Sequence, residues 1–199
     1  MLLAFAPFAR TDGVPSSKAA ALSAARAAVG RPSVLLFRPH SPGNIGSVAR
    51  AMLNFGLTDL RLVSPRPGWQ MERAIKASAG AEALIENNLL FETVEEATAD
   101  LGYLVATTAR QRDMVKPVVT PAAMASAIRT RRSESHPQSG ILFGCERTGL
   151  SNDDISLADA ICSVPLNPDF SSLNLAQAVL LMGYEWFQAS LMQTIGSRK

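Results

Sequence analysis

The chain has few cysteines and histidines, the residues from which most metal sites and disulfide frameworks are built. Its 199 residues include two cysteines, Cys145 and Cys162, and two histidines, His40 and His136. No pair of cysteines has the CxxC spacing of a zinc site, so we expect no bound metal. Each cysteine lies inside an apolar run, which favours reduced, buried thiols, although a disulfide between the two stays open.

Long apolar runs and a strong excess of one charge are also missing. No apolar stretch approaches the roughly 18 residues of a membrane helix, so we expect no membrane partner and a cytoplasmic location. The net charge is +2, with 18% charged and 47% hydrophobic residues. This composition excludes a disordered chain and permits a polyanionic partner without requiring one. The basic residues are nevertheless clustered: Arg110, Arg112 and Lys116, then Arg129, Arg131 and Arg132.

The usual nucleotide and hydrolase signatures are absent from the sequence. There is no GxGxxG after a strand, no GxxxxGK[ST] and no GxSxG. A nicotinamide-dependent enzyme, a P-loop NTPase and an α/β-hydrolase therefore all lose support. Covalent catalysis by Cys145 is disfavoured as well, since no histidine neighbours it in the sequence.

Short apolar runs alternate with helix-like segments along the chain. We predict strands at 33–37, 60–63, 89–91, 103–106, 141–143 and 161–164, and helices at 17–29, 44–55, 71–83, 94–101, 120–131, 151–157 and 173–191. This alternation indicates an α/β fold with a mostly parallel sheet and helices on both faces. Residues 1–30 form an N-terminal arm and helix, and residues 31–199 form one domain.

The last predicted helix carries apolar residues three and four positions apart, as a core-facing stripe does. They are Leu173, Ala176, Val179, Leu180, Tyr184 and Phe187.

Small and polar residues concentrate where predicted strands meet predicted helices, the usual place for a ligand in an open α/β sheet. Gly144 and Glu146 follow one strand, and Arg50 lies in an apolar stretch after Asn44. Each has an ordinary structural explanation too. Asn44 and Ser172 suit helix caps, Gly144 and Glu146 suit a turn, and an arginine such as Arg50 is common on an exposed helix face.

Three blocks together resemble the motifs of one enzyme family. Residues 44–50 (NIGSVAR), 143–150 (FGCERTGL) and 164–179 (VPLNPDFSSLNLAQAV) resemble, in this order, the three motifs of the SpoU (TrmH) family within the SPOUT superfamily of RNA methyltransferases. The residues in and around these blocks are similar to those of the TrmJ-like branch, which methylates a ribose 2′-hydroxyl at position 32 of the tRNA anticodon loop. The resemblance covers roughly residues 33–190.

The resemblance implies properties that periodicity does not predict. It implies a deep C-terminal trefoil knot over about 141–179, a homodimer with the site near the subunit interface, and S-adenosylmethionine as the cofactor. It also assigns the residues that line the cofactor: Thr107, Thr108, Ala109, Gly144, Val164, Ser172 and Leu173.

The resemblance also assigns the chemistry. Arg50 is the activating residue of the first motif, and Asn44, Glu146, Ser172 and Asn174 would hold it and the substrate in place. Because an arginine stays protonated, we expect Arg50 to orient the ribose and stabilise the developing alkoxide rather than to act as a base.

The RNA partner is the least determined part of the prediction. Arg110, Arg112 and Lys116 follow the cofactor-lining threonines and are expected to contact RNA. TrmJ-like proteins carry a C-terminal extension that this sequence does not contain, so the tRNA position stays open. An rRNA ribose methyltransferase and a non-catalytic knotted RNA-binding module are the alternatives.

Overall fold

A computed structural model describes residues 30–69, 71–108, 115–133 and 138–196. The predictions for the arm and helix before residue 30, and for Ala109, Arg110 and Arg112, lie outside the described residues. The strands are β1 (Ser33–Phe37), β2 (Leu60–Val63), β3 (Leu89–Phe91), β4 (Tyr103–Thr107), β5 (Val118–Val119), β6 (Ser139–Phe143) and β7 (Ala160–Cys162). The helices are α1 (Pro42–Asn54), α2 (Met71–Ser78), α3 (Glu82–Glu86), α4 (Val94–Thr98), α5 (Pro121–Ser133), α6 (Asn152–Ser156) and α7 (Leu175–Gly196).

The seven strands form one parallel sheet in the order β3-β2-β1-β6-β4-β7-β5. In the centre, Leu35 of β1 lies opposite Leu142 of β6. The predicted α/β fold with a mostly parallel sheet is confirmed. Because all the strands run the same way, their carboxyl ends lie at one edge, and the loops that follow β1, β4, β6 and β7 meet there.

The core has two layers, one on each face of the sheet, because side chains alternate along a strand. Val34 and Leu36 pack on the face covered by α1, α2, α3, α5 and α7. Leu35 and Phe37 pack on the opposite face, against α4 and α6. All four side chains are buried, which explains why β1 reads as a continuous apolar run.

The amino edge of the sheet is held by a buried polar cluster. Arg61 of β2 pairs with Asp59 at 2.9 Å and with Asp100 at 2.6 Å. Burial alone would lower the pKa of Arg61, but hydrogen bonds to Asp100 and Asp59 raise it overall. Ser33 is the first residue of β1, and Gln138 directly precedes β6. Both side chains donate hydrogen bonds to the Asp59 carboxylate, at 2.6 and 3.2 Å. These bonds fix three strands at the edge away from the predicted site.

Several predicted boundaries are wrong in informative ways. The predicted helix 71–83 is two helices, because Ala79 and Gly80 adopt φ values of +45° and +101° that no α-helix permits. Strand β5 lies between the predicted strand 103–106 and the predicted helix 120–131, where we predicted no strand. The cap of α1 is Ser41, whose hydroxyl accepts from the backbone N–H of Asn44 at 3.4 Å. Asn44 is therefore not the cap, and its amide is free for other contacts.

Helix α7 also differs from its predicted amphipathic stripe. It is capped by Asn174, whose side-chain oxygen accepts from the N–H of Ala176 at 2.9 Å, and not by Ser172. The residues that α7 buries against the core are Leu175, Val179, Met182 and Trp186. The predicted stripe residues Leu180, Tyr184 and Phe187 are 39%, 45% and 40% exposed. The helix thus has a second apolar face, which Phe55 covers only in part through its contacts with Tyr184 and Phe187.

No helix in the described part of the chain combines the length and hydropathy that crossing a membrane requires.

Candidate active site

A pocket of about 340 Å³ opens at the carboxyl edge of the sheet, where three loops meet. Thr107 and Thr108 come from the end of β4, residues 143–149 from the loop after β6, and residues 164–173 from the segment between β7 and α7. The volume lies within the usual range of about 300–1,000 Å³ for small-molecule sites. Of the predicted cofactor residues, Thr107, Thr108, Gly144, Val164, Ser172 and Leu173 all line this pocket.

Gly144 has to be a glycine because two backbone segments come together there. A Cβ at this position would collide with the backbone of Gly149 and Leu150. The loop closes on itself through a hydrogen bond of 2.7 Å from Gly149 N–H to the Cys145 carbonyl, and Gly149 has a φ of +69°. The loop thereby brings backbone polar groups to the pocket wall rather than side chains.

The floor of the pocket is apolar. It includes Phe143, Cys162 and Met182, and the Cys162 thiol donates to the Met182 sulfur at 3.7 Å. Burial raises the pKa of Cys162 to about 12, so this thiol stays protonated and unreactive. Cys145 and Cys162 are both free, so the disulfide that the sequence left open is not formed.

Sequence reasoning missed the floor residues, three of which come from α7: Leu175, Ala178 and Met182. They lie three and four positions apart, so they share one face of α7. A helical projection anchored on Asn174 as the cap would have found them.

A hydrogen-bonded chain of side chains runs beside the pocket. Glu146 accepts from the side-chain amide of Asn44 at 2.9 Å and from the backbone N–H groups of His40 and Ser41 at 2.8 and 3.1 Å. Asn174 in turn donates to the Asn44 oxygen at 3.0 Å. The chain therefore links the loop after β6, the start of α1 and the start of α7. The structure brings Asn44 together with Glu146 and Asn174, which lie 102 and 130 positions further along the sequence.

The ionisation of Glu146 follows from these contacts. Partial burial would raise the pKa of its carboxyl group, but the hydrogen bonds from Asn44, His40 and Ser41 lower it overall. Glu146 is thus a carboxylate at neutral pH and an acceptor only. It suits positioning, and it does not suit donation of a proton.

Arg50 does not join this constellation within one subunit. It lies on the exposed side of α1, outside the residues that line the pocket. It is six residues beyond Asn44, about 9 Å further along the helix and on a different face. Within the described chain no hydrogen bond or ion pair of Arg50 reaches Glu146, Asn174 or Ser172.

Of the predicted RNA contacts, only Lys116 is described. Its ammonium group donates to the carbonyls of Ser156, at 2.9 Å, and Ala158 at the end of α6. A lysine at a helix C-terminus is favourable because it complements the helix dipole. Lys116 thus has a structural role, and its contact with RNA stays a prediction. Over the described ranges, no group of three or more His, Cys, Asp or Glu side chains is placed to hold a metal ion.

Comparison with known proteins places this site in a family. The model of the SpoU rRNA methylase family matches residues 31–184. The chain is 40% identical over 154 residues to the tRNA (cytidine/uridine-2′-O-)-methyltransferase TrmJ of Yersinia enterocolitica, an alignment that covers 76% of this chain and 58% of that protein. The chain therefore spans less than two thirds of the length of this curated relative.

Solved structures are consistent with the same family. The crystal structure of TrmJ from Z. mobilis is 52% identical, with a TM-score of 0.73, and the match covers 79% of this chain and 69% of that one. The SpoU methyltransferase AviRb from Streptomyces viridochromogenes, solved with AdoMet, is 23% identical with a TM-score of 0.63, over 81% of this chain and 58% of that one. The second likeness concerns the fold alone.

Proposed function

Because the chain belongs to the SpoU rRNA methylase family, in its TrmJ-like branch, we propose that it is an S-adenosylmethionine-dependent RNA ribose 2′-O-methyltransferase that acts on tRNA. The observation that carries the proposal is the pocket at the carboxyl edge of the sheet, flanked by the linked side chains of Glu146, Asn44 and Asn174. The pocket would take the methyl donor, and the linked side chains would face the ribose.

The residues present fit S-adenosylmethionine. The apolar floor at Phe143 and Met182 suits an adenine ring, and the close backbone approach at Gly144 offers peptide groups to polar atoms. Thr108 and Ser172, which also line the pocket, add two hydroxyl groups. Ala109 follows this wall directly in the sequence. AviRb, whose fold this chain shares, was solved with the same donor, which adds support.

S-adenosylmethionine supplies, when bound, an electrophilic methyl carbon for in-line attack by the ribose oxygen. The protein positions the 2′-hydroxyl for that attack, and positioning of this kind lowers a barrier by roughly 7–11 kcal/mol. The ribose oxygen would form its bond to the methyl carbon as the bond from that carbon to the sulfonium sulfur breaks. The hydroxyl must lose its proton as it attacks, and this proton would pass to solvent, since neither Arg50 nor Glu146 accepts it. The guanidinium of Arg50 stabilises the alkoxide that develops, and Asn44, Glu146, Ser172 and Asn174 hold the reacting groups in place. No residue in this set requires a metal.

For Arg50 to act in this way, it must reach a pocket other than the one in its own subunit. A homodimer provides this. The exposed side of α1 carries Arg50 and Leu53, which is 41% exposed, and Phe55 beside it packs on Tyr184 of α7 with ring centroids 6.1 Å apart. We infer that this side of α1 and the partly exposed apolar face of α7 form the subunit interface. Arg50 of one subunit then enters the pocket of its partner.

The proposal includes a deep trefoil knot over about residues 141–179. The sheet order supports it. After β5 forms one edge, the chain returns to insert β6 between β1 and β4, and then inserts β7 between β4 and β5. It then crosses to pack α7 against α1 and α5. A chain that twice re-enters an existing sheet is compatible with such a knot, and knots are rare among protein folds.

We propose a cytidine or uridine ribose of tRNA as the target, following the relatives' names. The resemblance to the TrmJ-like branch extends this proposal to a position of the 32 type in the anticodon loop. Single-stranded loop bases are accessible to such a site. Arg110, Arg112 and Lys116 are proposed RNA contacts, which makes binding salt-dependent. A tRNA substrate and two unpaired thiols are consistent with a cytoplasmic location.

Mass spectrometry of ribose-methylated nucleosides tests the function. The purified protein and S-adenosylmethionine are incubated with unmodified tRNA in one reaction and with unmodified rRNA in another. The RNA of each reaction is then digested to nucleosides. We expect 2′-O-methylcytidine or 2′-O-methyluridine from tRNA and none without the donor. Methylation of rRNA alone would replace the proposed substrate. Tight RNA binding without any methylated product from either RNA would contradict the enzyme assignment.

A further inference from the structure

A second cavity, of about 660 Å³, lies at the same edge of the sheet beside the strands β1, β2 and β3. We call it the basic crevice; its lining includes Arg38, His40, Arg66, Phe91, Glu92 and Cys145. It contains none of the residues that line the methyl-donor pocket except Cys145, which forms a wall of both. The crevice is therefore a separate space next to the proposed reaction centre.

The charges in the basic crevice favour an anion. Arg38 and Arg66 are exposed, and within the described chain no carboxylate pairs with either guanidinium. The Arg38 guanidinium lies 4.8 Å from the centre of the Phe37 ring, and one Arg66 nitrogen lies 3.5 Å from His40 Nε2. Glu92 contributes one opposing charge, so the lining carries a net positive charge with His40 neutral.

Backbone strain occurs at the same place. Arg38 and Ser64 have φ values of +49° and +46°, although neither is a glycine. Each directly follows a strand, and each backbone N–H extends the strand ladder by one bond of 2.8 Å, to Val63 and Phe91 respectively. The left-handed conformation then turns the chain sharply and places Arg38 and Ser64 on the crevice wall. Conformations that cost free energy in this way concentrate at functional sites.

The basic crevice is also tied to the proposed reaction centre. The ring of His40 lines the crevice, while its backbone N–H donates to Glu146 at 2.8 Å. The segment 38–41 thus carries Arg38 on the crevice wall and holds the Glu146 carboxylate through the backbone N–H groups of His40 and Ser41. Because the crevice and the donor pocket share Cys145, a polynucleotide with one ribose at the donor pocket would pass a neighbouring phosphate along this segment.

We propose that the basic crevice binds a backbone phosphate of the RNA substrate, next to the nucleotide that is methylated, with Arg38 and Arg66 as its donors. The proposal rests on the proposed function and extends it to these two arginines. Paired guanidinium groups suit phosphate oxygens because their N–H donors match the oxygens in geometry. Glu92 limits the charge of the crevice and opposes binding.

The test compares single variants of the full chain in binding to unmodified tRNA over a series of KCl concentrations. We expect Arg38→Ala and Arg66→Ala each to weaken binding about tenfold at low salt. Each should also lower the slope of log affinity against log salt by about 1. Glu92→Gln should strengthen binding, since it removes the opposing charge.

Arg31→Ala is the matched control. It removes the same charge just before β1, at the amino edge of the sheet and outside the crevice, and should leave tRNA affinity within about twofold of the wild type. Thermal unfolding monitors folding, and calorimetric titration of S-adenosylmethionine should give the same affinity in every variant.

The outcomes separate the two proposals. Binding by Arg38→Ala and Arg66→Ala that matches Arg31→Ala would overturn the crevice assignment and leave the proposed function intact. An unchanged salt slope with weakened binding would also overturn it, because a lost phosphate contact must lower the slope. Wild-type protein that binds tRNA through the crevice but neither binds nor uses S-adenosylmethionine would instead overturn the proposed function.

Discussion

At the scale of single residues, Glu146 determines how the site is assembled. One carboxylate accepts three hydrogen bonds from the segment 40–44, and the amide of Asn44 passes the connection on to Asn174. Hydrogen bonds to a charged group contribute about 1.5–3 kcal/mol each, about twice the contribution of neutral ones. A carboxylate with a lowered pKa is a poor base, so Glu146 positions other groups and does not take the proton of the ribose hydroxyl.

The substitution Glu146→Gln should produce a pH-dependent loss of stability. The pKa of Glu146 is lower in the folded protein than its ordinary value of 4.5, so its contribution is complete above about pH 4.5 and disappears as the pH falls through the folded-state value. We expect the variant to be about 1–2 kcal/mol less stable at pH 7. The difference from the wild type should shrink towards zero in acid. Urea unfolding at a series of pH values measures it.

Glu95→Gln controls for the loss of a surface carboxylate, because Glu95 is exposed in α4 and outside the pocket. A difference between wild type and Glu146→Gln that stays constant from pH 7 into acid would mean that the hydrogen bonds do not depend on the charge.

At the scale of the element, the amino end of α7 and two of its faces have different roles. Its first turn joins the site through Asn174, one face supplies the pocket floor and the core, and another leaves Leu180 and Tyr184 exposed. The sequence predicted this helix correctly because its apolar residues recur at helical spacing. It did not predict which face meets the core, since the helix is apolar on more than one side and periodicity alone cannot rank the faces.

Substitutions of Asn174 separate its role as a cap from its role in the site. Asn174→Ala removes the acceptor for Ala176 N–H and the donor to Asn44, so we expect a loss of about 1 kcal/mol of stability together with lower activity. Asn174→Ser keeps a capping hydroxyl and should restore stability. It cannot reach Asn44 as the longer amide does, so activity should stay low. Thermal unfolding and kcat are measured together; recovery of both in Asn174→Ser would contradict a role beyond capping.

Predictions from local sequence were also wrong where a tertiary contact determines the structure. Asn44 is a good cap residue, yet Ser41 caps α1 because the chain turns into the helix at Pro42. That shift leaves Asn44 in the first turn, where its amide meets Glu146 from 102 positions away. Strand β5 has only two residues and exists because β7 pairs with it. Neither contact has a local signal, whereas the apolar runs at 34–37 in β1 and 141–143 in β6 were predictable from composition alone.

At the scale of the whole molecule, the proposed chemistry requires the partly exposed apolar face of α7 to contact a second subunit. Leu180→Glu places a charge on this face, and an unpaired charge in a buried interface costs about 3 kcal/mol or more. We expect the dimer dissociation constant to rise about a hundredfold, as measured by analytical ultracentrifugation, and methylation to fall at concentrations where the variant is monomeric.

Leu157→Glu is the matched control, because Leu157 is 40% exposed, against 39% for Leu180, but follows α6 on the other face of the sheet. Equal dissociation of the two variants would mean that charge in general, and not this face, weakens the assembly. A wild type that is monomeric and fully active at micromolar concentration would rule out the shared site.

The sharpest consequence of the assembly concerns Arg50, which is exposed and away from the pocket of its own subunit. Arg50→Ala alone should lose about 10²–10³ in kcat, since it removes the group that stabilises the alkoxide. Ser172→Trp should fill the donor pocket and abolish activity by itself.

When the two inactive variants are mixed and allowed to exchange subunits at random, half of the dimers contain one subunit of each variant. Each mixed dimer joins one intact pocket to one intact Arg50 if the arginine acts across the interface, which restores about a quarter of wild-type activity. If Arg50 acts within its own subunit, no dimer in the mixture contains a complete site, and the activity stays at the level of the separate variants.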